Sequence, residues 1–364
     1  MRFQLAPAVF LSIFCVGSKA FIISPTSLTV GNKALSDPSS KSSFTALNAI
    51  GVLARKAKEN DVRTYCEAGL EESVSAKYSE MKANLDSSSP DTFSNIVQET
   101  LTKRKGTITI IAEYKRKFAG DVSFAGDEIF EPENVSPTFR TFGASAVAVL
   151  ADERMGGCTY DDISKFVEEQ EKAKGDLPGP LPVISNDLIV DEVQIARSAA
   201  YGAKAVVLPL GISGEEKTGF FIKCAKAAGI EPIVQVISKE EAQFAIDAGA
   251  RIISVIGVKS VDDKFNVIDG LNVPNGESVC TIANIVANNE ESYEEVEEAW
   301  MLRDKGFNAV WVSDVLYRNG NDPTEHAGAI IRSLGSKASV RWASAKTMSG
   351  KGEGSREYLG DILM

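Results

Sequence analysis

Eight short apolar runs constrain this chain more than any other feature: "TITIIAEY", "AVAVLADE", "LPVISND", "AVVLPLG", "EPIVQVI", "RIISVIG", "SVCTIAN" and "AVWVSD". Most are rich in β-branched residues and too continuous for strands with one wet face, so they suit a parallel sheet covered on its outside. Between several of them lie segments with apolar positions three and four apart: "YDDISKFVEEQEKA", "DEVQIARSAAYGA", "GFFIKCAKAAGI", "KEEAQFAIDAGA" and "EEVEEAWMLRDKGF". These predict helices, and the glycine recurring near their ends supplies a C-capping residue before the next strand. Eight strand-helix units in roughly 230 residues predict an α/β fold of the (β/α)8 TIM barrel class. A doubly wound open sheet is the alternative; it would want a glycine-rich phosphate loop after its first strand, and GxGxxG is absent there.

The segments flanking the repeats divide the chain further. From Leu47 to about Lys105 the pattern is helical, with a Ser/Pro/Asp break at Ser87 to Pro90, which predicts an N-terminal helical extension to the barrel. Ahead of it, "MRFQLAPAVFLSIFCVGSKAF" has the early Arg2, apolar stretch and small residues of a signal peptide over residues 1–20. Residues 21–47 are rich in Ser and Thr, with Lys33 and Lys41 against Asp37, as in a transit segment. A signal followed by a transit-like segment beginning with Phe21 looks like the bipartite leader of plastid proteins in algae with complex plastids; a secreted chain is the alternative. The expected division is leader to residue 47, barrel over 48–334, and a flexible Gly/Ser/Lys-rich C-terminal arm over 335–364 whose last turn would dock on the barrel or on a protein partner.

Charge and cysteine usage narrow the partners. A formal charge of -11 argues against nucleic acid or an anionic membrane as a general partner of the mature chain, because both need a basic field. Five scattered cysteines without a CxxC pair, and the single His326, support neither a disulfide framework nor a zinc site. No metal and no cofactor is expected.

Barrel chemistry is carried at the C-terminal ends of the strands. Those ends offer Glu113 and Lys115, then Asp152, Glu153 and Arg154, then Asn186 and Asp187, followed by Pro209, Gln235, Ile256, Asn284, Ser313 and Asp314. Glu113 and Lys115 are two apart and share one face of an extended strand. They are expected either to hold each other and a small anionic substrate or to form a salt bridge capping the mouth. Asp187 and Asp314 are expected to cap a helix or to pair with Arg154 and Lys115.

At these strand ends the chain resembles indole-3-glycerol phosphate synthase, a tryptophan-pathway barrel. "IIAEYKRK" is similar to that family's first-strand motif and "FGASAVAVLADERMGGCTYDDI" to its second-strand segment. "LPVISNDLIVDEVQIARSAAYGAKAVVL", "AAGIEPIVQV", "DAGARIISV" and "GFNAVWVSDVLYR" continue the register through strands three, four, five, six and eight, over roughly residues 50 to 334. The resemblance implies ring closure and decarboxylation of a carboxyphenylamino deoxyribulose phosphate, with Lys115 and Glu113 as the catalytic pair. Arg154, Asn186, Asp187, Gln235, Asn284 and Ser313 become the substrate-binding candidates.

The chain departs from the family's pattern at several of these positions. Asn186 stands at the third-strand lysine that resembles a general acid, Arg154 at the second-strand lysine, and Gln235 at the fifth-strand glutamate. Ile256, or Val258 if the loop carries an insertion, stands at the sixth-strand asparagine, Ile282 and Ala283 at the seventh-strand Glu-Ser pair, Ser313 at the eighth-strand glycine, and Phe118-Ala119-Gly120 where the family has Ser-Pro-Ser. An amide has no proton to give, and guanidinium is a poor donor. Three readings follow: the family's enzyme, a barrel repurposed for binding or assembly, and an enzyme acting on a different small anion.

Overall fold

The structure is a computed structural model describing residues 39–86, 95–102, 107–117, 130–286, 294–317 and 323–336, with the backbone alone for 39–51, 275 and 323–325. The signal segment, most of the transit-like segment, the expected break at 87–90 and nearly all of the C-terminal arm lie outside the described residues. All eight apolar runs are strands: β1 (Thr109–Tyr114), β2 (Ala146–Leu150), β3 (Val183–Asn186), β4 (Ala205–Pro209), β5 (Glu231–Val236), β6 (Ile252–Val255), β7 (Cys280–Ile285) and β8 (Ala309–Val312). They pair in parallel in sequence order and close into a barrel, with Thr109 opposite Ala309 and Ala112 opposite Val312 at the seam.

The helices comprise an N-terminal group, α1 (Ser39–Ala68), α2 (Glu72–Asp86) and α3 (Ile96–Thr102), then the outer ring. That ring is α4 (Pro132–Phe142), α5 (Tyr160–Lys172), α6 (Glu192–Ala200), α7 (Leu210–Ser213), α8 (Glu215–Ala227), α9 (Lys239–Asp247), α10 (Val261–Ile268), α11 (Glu294–Asp304) and α12 (Pro323–Leu334). The expected glycine caps are present: Gly202, Gly229, Gly249 and Gly306 have positive φ just beyond α6, α8, α9 and α11, a conformation that L side chains resist.

Three elements differ from the sequence reading. The helical extension breaks after Ala68 at Gly69, where φ is 95°, and α1 runs unbroken across residues 47–48. Helix α4 contains Pro137, which hides it from a pattern reading. Helix α10 turns Lys264 and Val267 into the core, so a charge stands where periodicity looks for an apolar residue. Lys264 is satisfied there: its ammonium donates to the Asn284 carbonyl at 2.6 Å and pairs with Glu298. Among the described residues no helix is long and apolar enough to cross a membrane.

Alternation along the strands makes two cores. Ile111, Ala148, Ile184, Val207, Ile233 and Ile252 fill the barrel with Trp311, while Ala112, Val147, Val149, Val206 and Val234 join the helices outside. Helix α3 closes the N-terminal end, sending Val97 and Leu101 into the barrel interior. Its first turn is held by Glu231 at the start of β5, whose carboxylate accepts the Val97 and Gln98 backbone N–H groups at 2.6 and 2.9 Å. Burial pushes the Glu231 carboxyl up to about 7, although those two bonds work against the shift.

Below about pH 4.5 this carboxyl is protonated in both the folded and unfolded chains, and between there and about pH 7 only the folded chain keeps the proton. Its stabilising contribution is therefore lost as pH rises through that window, by roughly 2–3 kcal/mol. Urea unfolding at pH 5 and pH 8 should show this fall in the wild type and a flatter profile in Glu231→Gln; equal slopes would contradict the assignment.

Candidate active site

Parity selects the inward residues at the mouth. Glu113 follows Ile111 on the inner face of β1 and is 5% exposed. Its carboxylate accepts hydrogen bonds from three other side chains: Asn186 Nδ2 at 3.0 Å, Trp311 Nε1 at 2.7 Å, and Ser313 Oγ. Tyr317, in a 3-10 turn just after β8, donates its hydroxyl to the Glu113 carbonyl at 2.7 Å, and burial holds that phenol well above its usual range. Lys115 is completely buried and forms an ion pair with Asp314. Glu113 and Lys115 are thus both contacted by residues at the end of β8, and the expected pairing of Asp314 with Lys115 is present.

A second charged cluster joins the ends of β2 and β3 to α1. Lys58, on α1, contacts Asp152 at 2.6 Å and also pairs with Asp187. Asp187 is 1% exposed and accepts from Tyr160 Oη at 2.8 Å, Gln194 Nε2 at 2.8 Å and the Leu188 N–H at 2.7 Å. Gln194 completes a capping box at the start of α6, its amide oxygen accepting from the Asp191 N–H at 3.1 Å. One side chain therefore caps the helix and orients the carboxylate.

The two acids share one ammonium unequally. Burial, aided by neighbouring Asp152, raises the Asp187 carboxyl even against the pull of Lys58. At Asp152 burial also opposes the charge, yet Lys58 and the Met155 and Arg154 N–H groups hold the carboxyl below its ordinary value. Lys58 itself is raised: burial works against its charge, and Asp187 and Asp152 outweigh that penalty.

The remaining candidates separate. Arg154 is 55% exposed and pairs with Asp61 on α1, so Asp187 meets Lys58 in place of the expected Arg154. Gln235 is half-buried on the inner face of β5, opposite Pro209 and Ser254. Asn284 lies opposite Trp311 on β7 and is fixed through its carbonyl by Lys264. Sequence reasoning missed Trp311, although it shares the face of Ser313 two residues on. It also missed Lys58, for which an α1 lysine 94 residues from Asp152 gives no local signal. Among the described residues no group of His, Cys, Asp and Glu side chains is arranged to hold a metal ion.

Residues 62–325 match the family described as indole-3-glycerol phosphate synthase, which spans well over half of the chain. The chain belongs to this family. An indole-3-glycerol phosphate synthase of Leptospira interrogans is 33% identical over 166 residues, 45% of this chain and 60% of that protein. One from Chloroherpeton thalassium is 30% identical over 215 residues, covering 57% of this chain and 75% of that protein. The chain spans between 51% and 60% of the length of the Streptomyces griseus and Leptospira interrogans relatives. Membership of the indole-3-glycerol phosphate synthase family agrees with the closed eight-stranded barrel.

The clamp by Lys58 is open to direct measurement. Lys58→Met leaves Asp152 and Asp187 side by side without their cation, and should cost about 3–5 kcal/mol in urea unfolding. Adding Asp187→Asn should return part of that loss. A cost below about 1 kcal/mol would place the pair among weak surface contacts.

Proposed function

We propose that this chain keeps the barrel of its family without the family's ring closure, and works as a small-molecule binding or assembly component. The observation that carries the reading is the use of the strand-end charges on internal partners: Lys115 on Asp314, and the Glu113 carboxylate on the uncharged Asn186, Trp311 and Ser313. An anionic substrate contacting Lys115 must displace a carboxylate already buried against it. Asn186, at the position that resembles a general acid, gives its N–H to Glu113 and has no acidic proton to deliver. Gln235 cannot take a proton as the family's fifth-strand glutamate would.

The leader supports action in the plastid after its removal, and the arm over residues 335–364 is the place for a protein partner; both rest on the sequence. The experiment is an indole fluorescence assay with the anthranilate-derived ribulose phosphate and the chain from residue 48 to 364, beside Lys115→Ala. The reading expects no turnover above that of Lys115→Ala while both proteins are folded by circular dichroism. Turnover abolished by the substitution would restore the family's activity to this chain.

A further inference from the structure

The barrel interior changes character towards its mouth. Ile184, Ile233, Ile252 and Ile282 belong to the apolar filling, and two residues further along the same faces stand Asn186, Gln235, Ser254 and Asn284. Ser254 is directly opposite Gln235. Three of these side chains carry a buried polar atom without a hydrogen-bond partner among the described residues: Asn186 Oδ1, Ser254 Oγ and Asn284 Oδ1. Asn186 is 4% exposed and Ser254 fully buried. The Asn186 amide has a fixed orientation, because its Nδ2 donates to Glu113 at 3.0 Å, so the oxygen is its unmet end.

A buried polar group without a partner is a net cost to a fold, and native interiors contain few. Three on the inner face of one barrel, on β3, β6 and β7, ask for a common partner. Two are amide oxygens, which only accept, and the third is a hydroxyl that adapts to either role. The neighbouring carboxylate points the same way: Glu113 receives hydrogen bonds from the uncharged Asn186, Trp311 and Ser313.

We propose that the mouth-end lumen is a binding site for a small amine-bearing cation that also carries a hydroxyl, recognised by the Asn186 and Asn284 amide oxygens, by Ser254, and by the field of Glu113. This assignment rests on the functional reading above and gives its ligand a chemical class: the ammonium brings hydrogen-bond donors where the barrel presents acceptors, and its charge offsets Glu113. A phosphate brings acceptors and a further negative charge to the same place.

The test is calorimetric titration of the folded chain from residue 48 to 364 with ethanolamine, glycerol and inorganic phosphate, repeated with Ser254→Ala and Asn284→Leu. Both substitutions remove an unmet polar atom, so both variants should keep or raise the melting temperature. The expected result is saturable ethanolamine binding, at least tenfold weaker in each variant, with weaker glycerol binding and no heat from phosphate. Flat ethanolamine titrations, variants that bind as the wild type does, glycerol binding as tightly as ethanolamine, or preferential phosphate binding would each overturn the site. The indole assay on the same preparation separates the two claims: turnover refutes the functional reading, whereas no turnover with no amine binding refutes this inference alone.

Discussion

The buried ion pair between Lys115 and Asp314 is the constraint on which the mouth depends. It exists because the barrel closes β1 against β8, which brings the residues following those two strands together. A fully buried ammonium is costly unless matched, and removal of either partner leaves a charge in a low-dielectric interior. The same seam supplies Trp311 and Ser313 to Glu113 and the Tyr317 hydroxyl to its backbone. Closure of the sheet and disposition of the charges are thus one event: the strands cannot meet without committing Lys115 and Glu113 to internal partners.

The α1 clamp repeats this logic at the neighbouring strands β2 and β3. Lys58 reaches from the helical extension to Asp152 and Asp187, while Arg154 leaves the mouth for Asp61 on the same helix. Arg197 of α6 stacks beneath this contact, with its guanidinium 4.1 Å from the Tyr65 ring centre and 4.3 Å from that of Tyr160, distances at which a cation is attracted to an aromatic face. The ion pairs of Lys58 and Arg154 bind α1 to the barrel. The helical extension is in this sense part of the mouth.

The fold was legible because strand and helix periods are local: every quoted apolar run is a strand, and the glycine caps fall where the pattern ends. Helices α4 and α10 were not, since a proline inside one and a buried Lys264 in the other break the pattern that reveals a helix. At the site, position at the strand ends alone brought out Glu113, Asn186, Gln235, Asn284 and Ser313, because barrel chemistry is carried there. The partners of charged groups were harder. Asp314 could be matched to Lys115 because barrel closure makes their strands neighbours, but Lys58 acts across 129 residues on Asp187 from an element whose docking no strand pattern specifies. The unmet atoms of Asn186, Ser254 and Asn284 are a property of packing, and sequence holds no trace of them.

Commitment of the Lys115 ammonium to Asp314 governs the mouth. Its most direct measurement is the affinity of the anthranilate-derived ribulose phosphate for the wild type and for Asp314→Asn, by calorimetry at low salt. Freeing Lys115 while keeping the side chain's shape should strengthen binding about tenfold or more, since removal of a close like charge is worth on the order of 1–4 kcal/mol at effective dielectrics between water and a protein surface. Tight binding by the wild type, unchanged or weakened in Asp314→Asn, would show that Lys115 already serves an anion and would contradict the account.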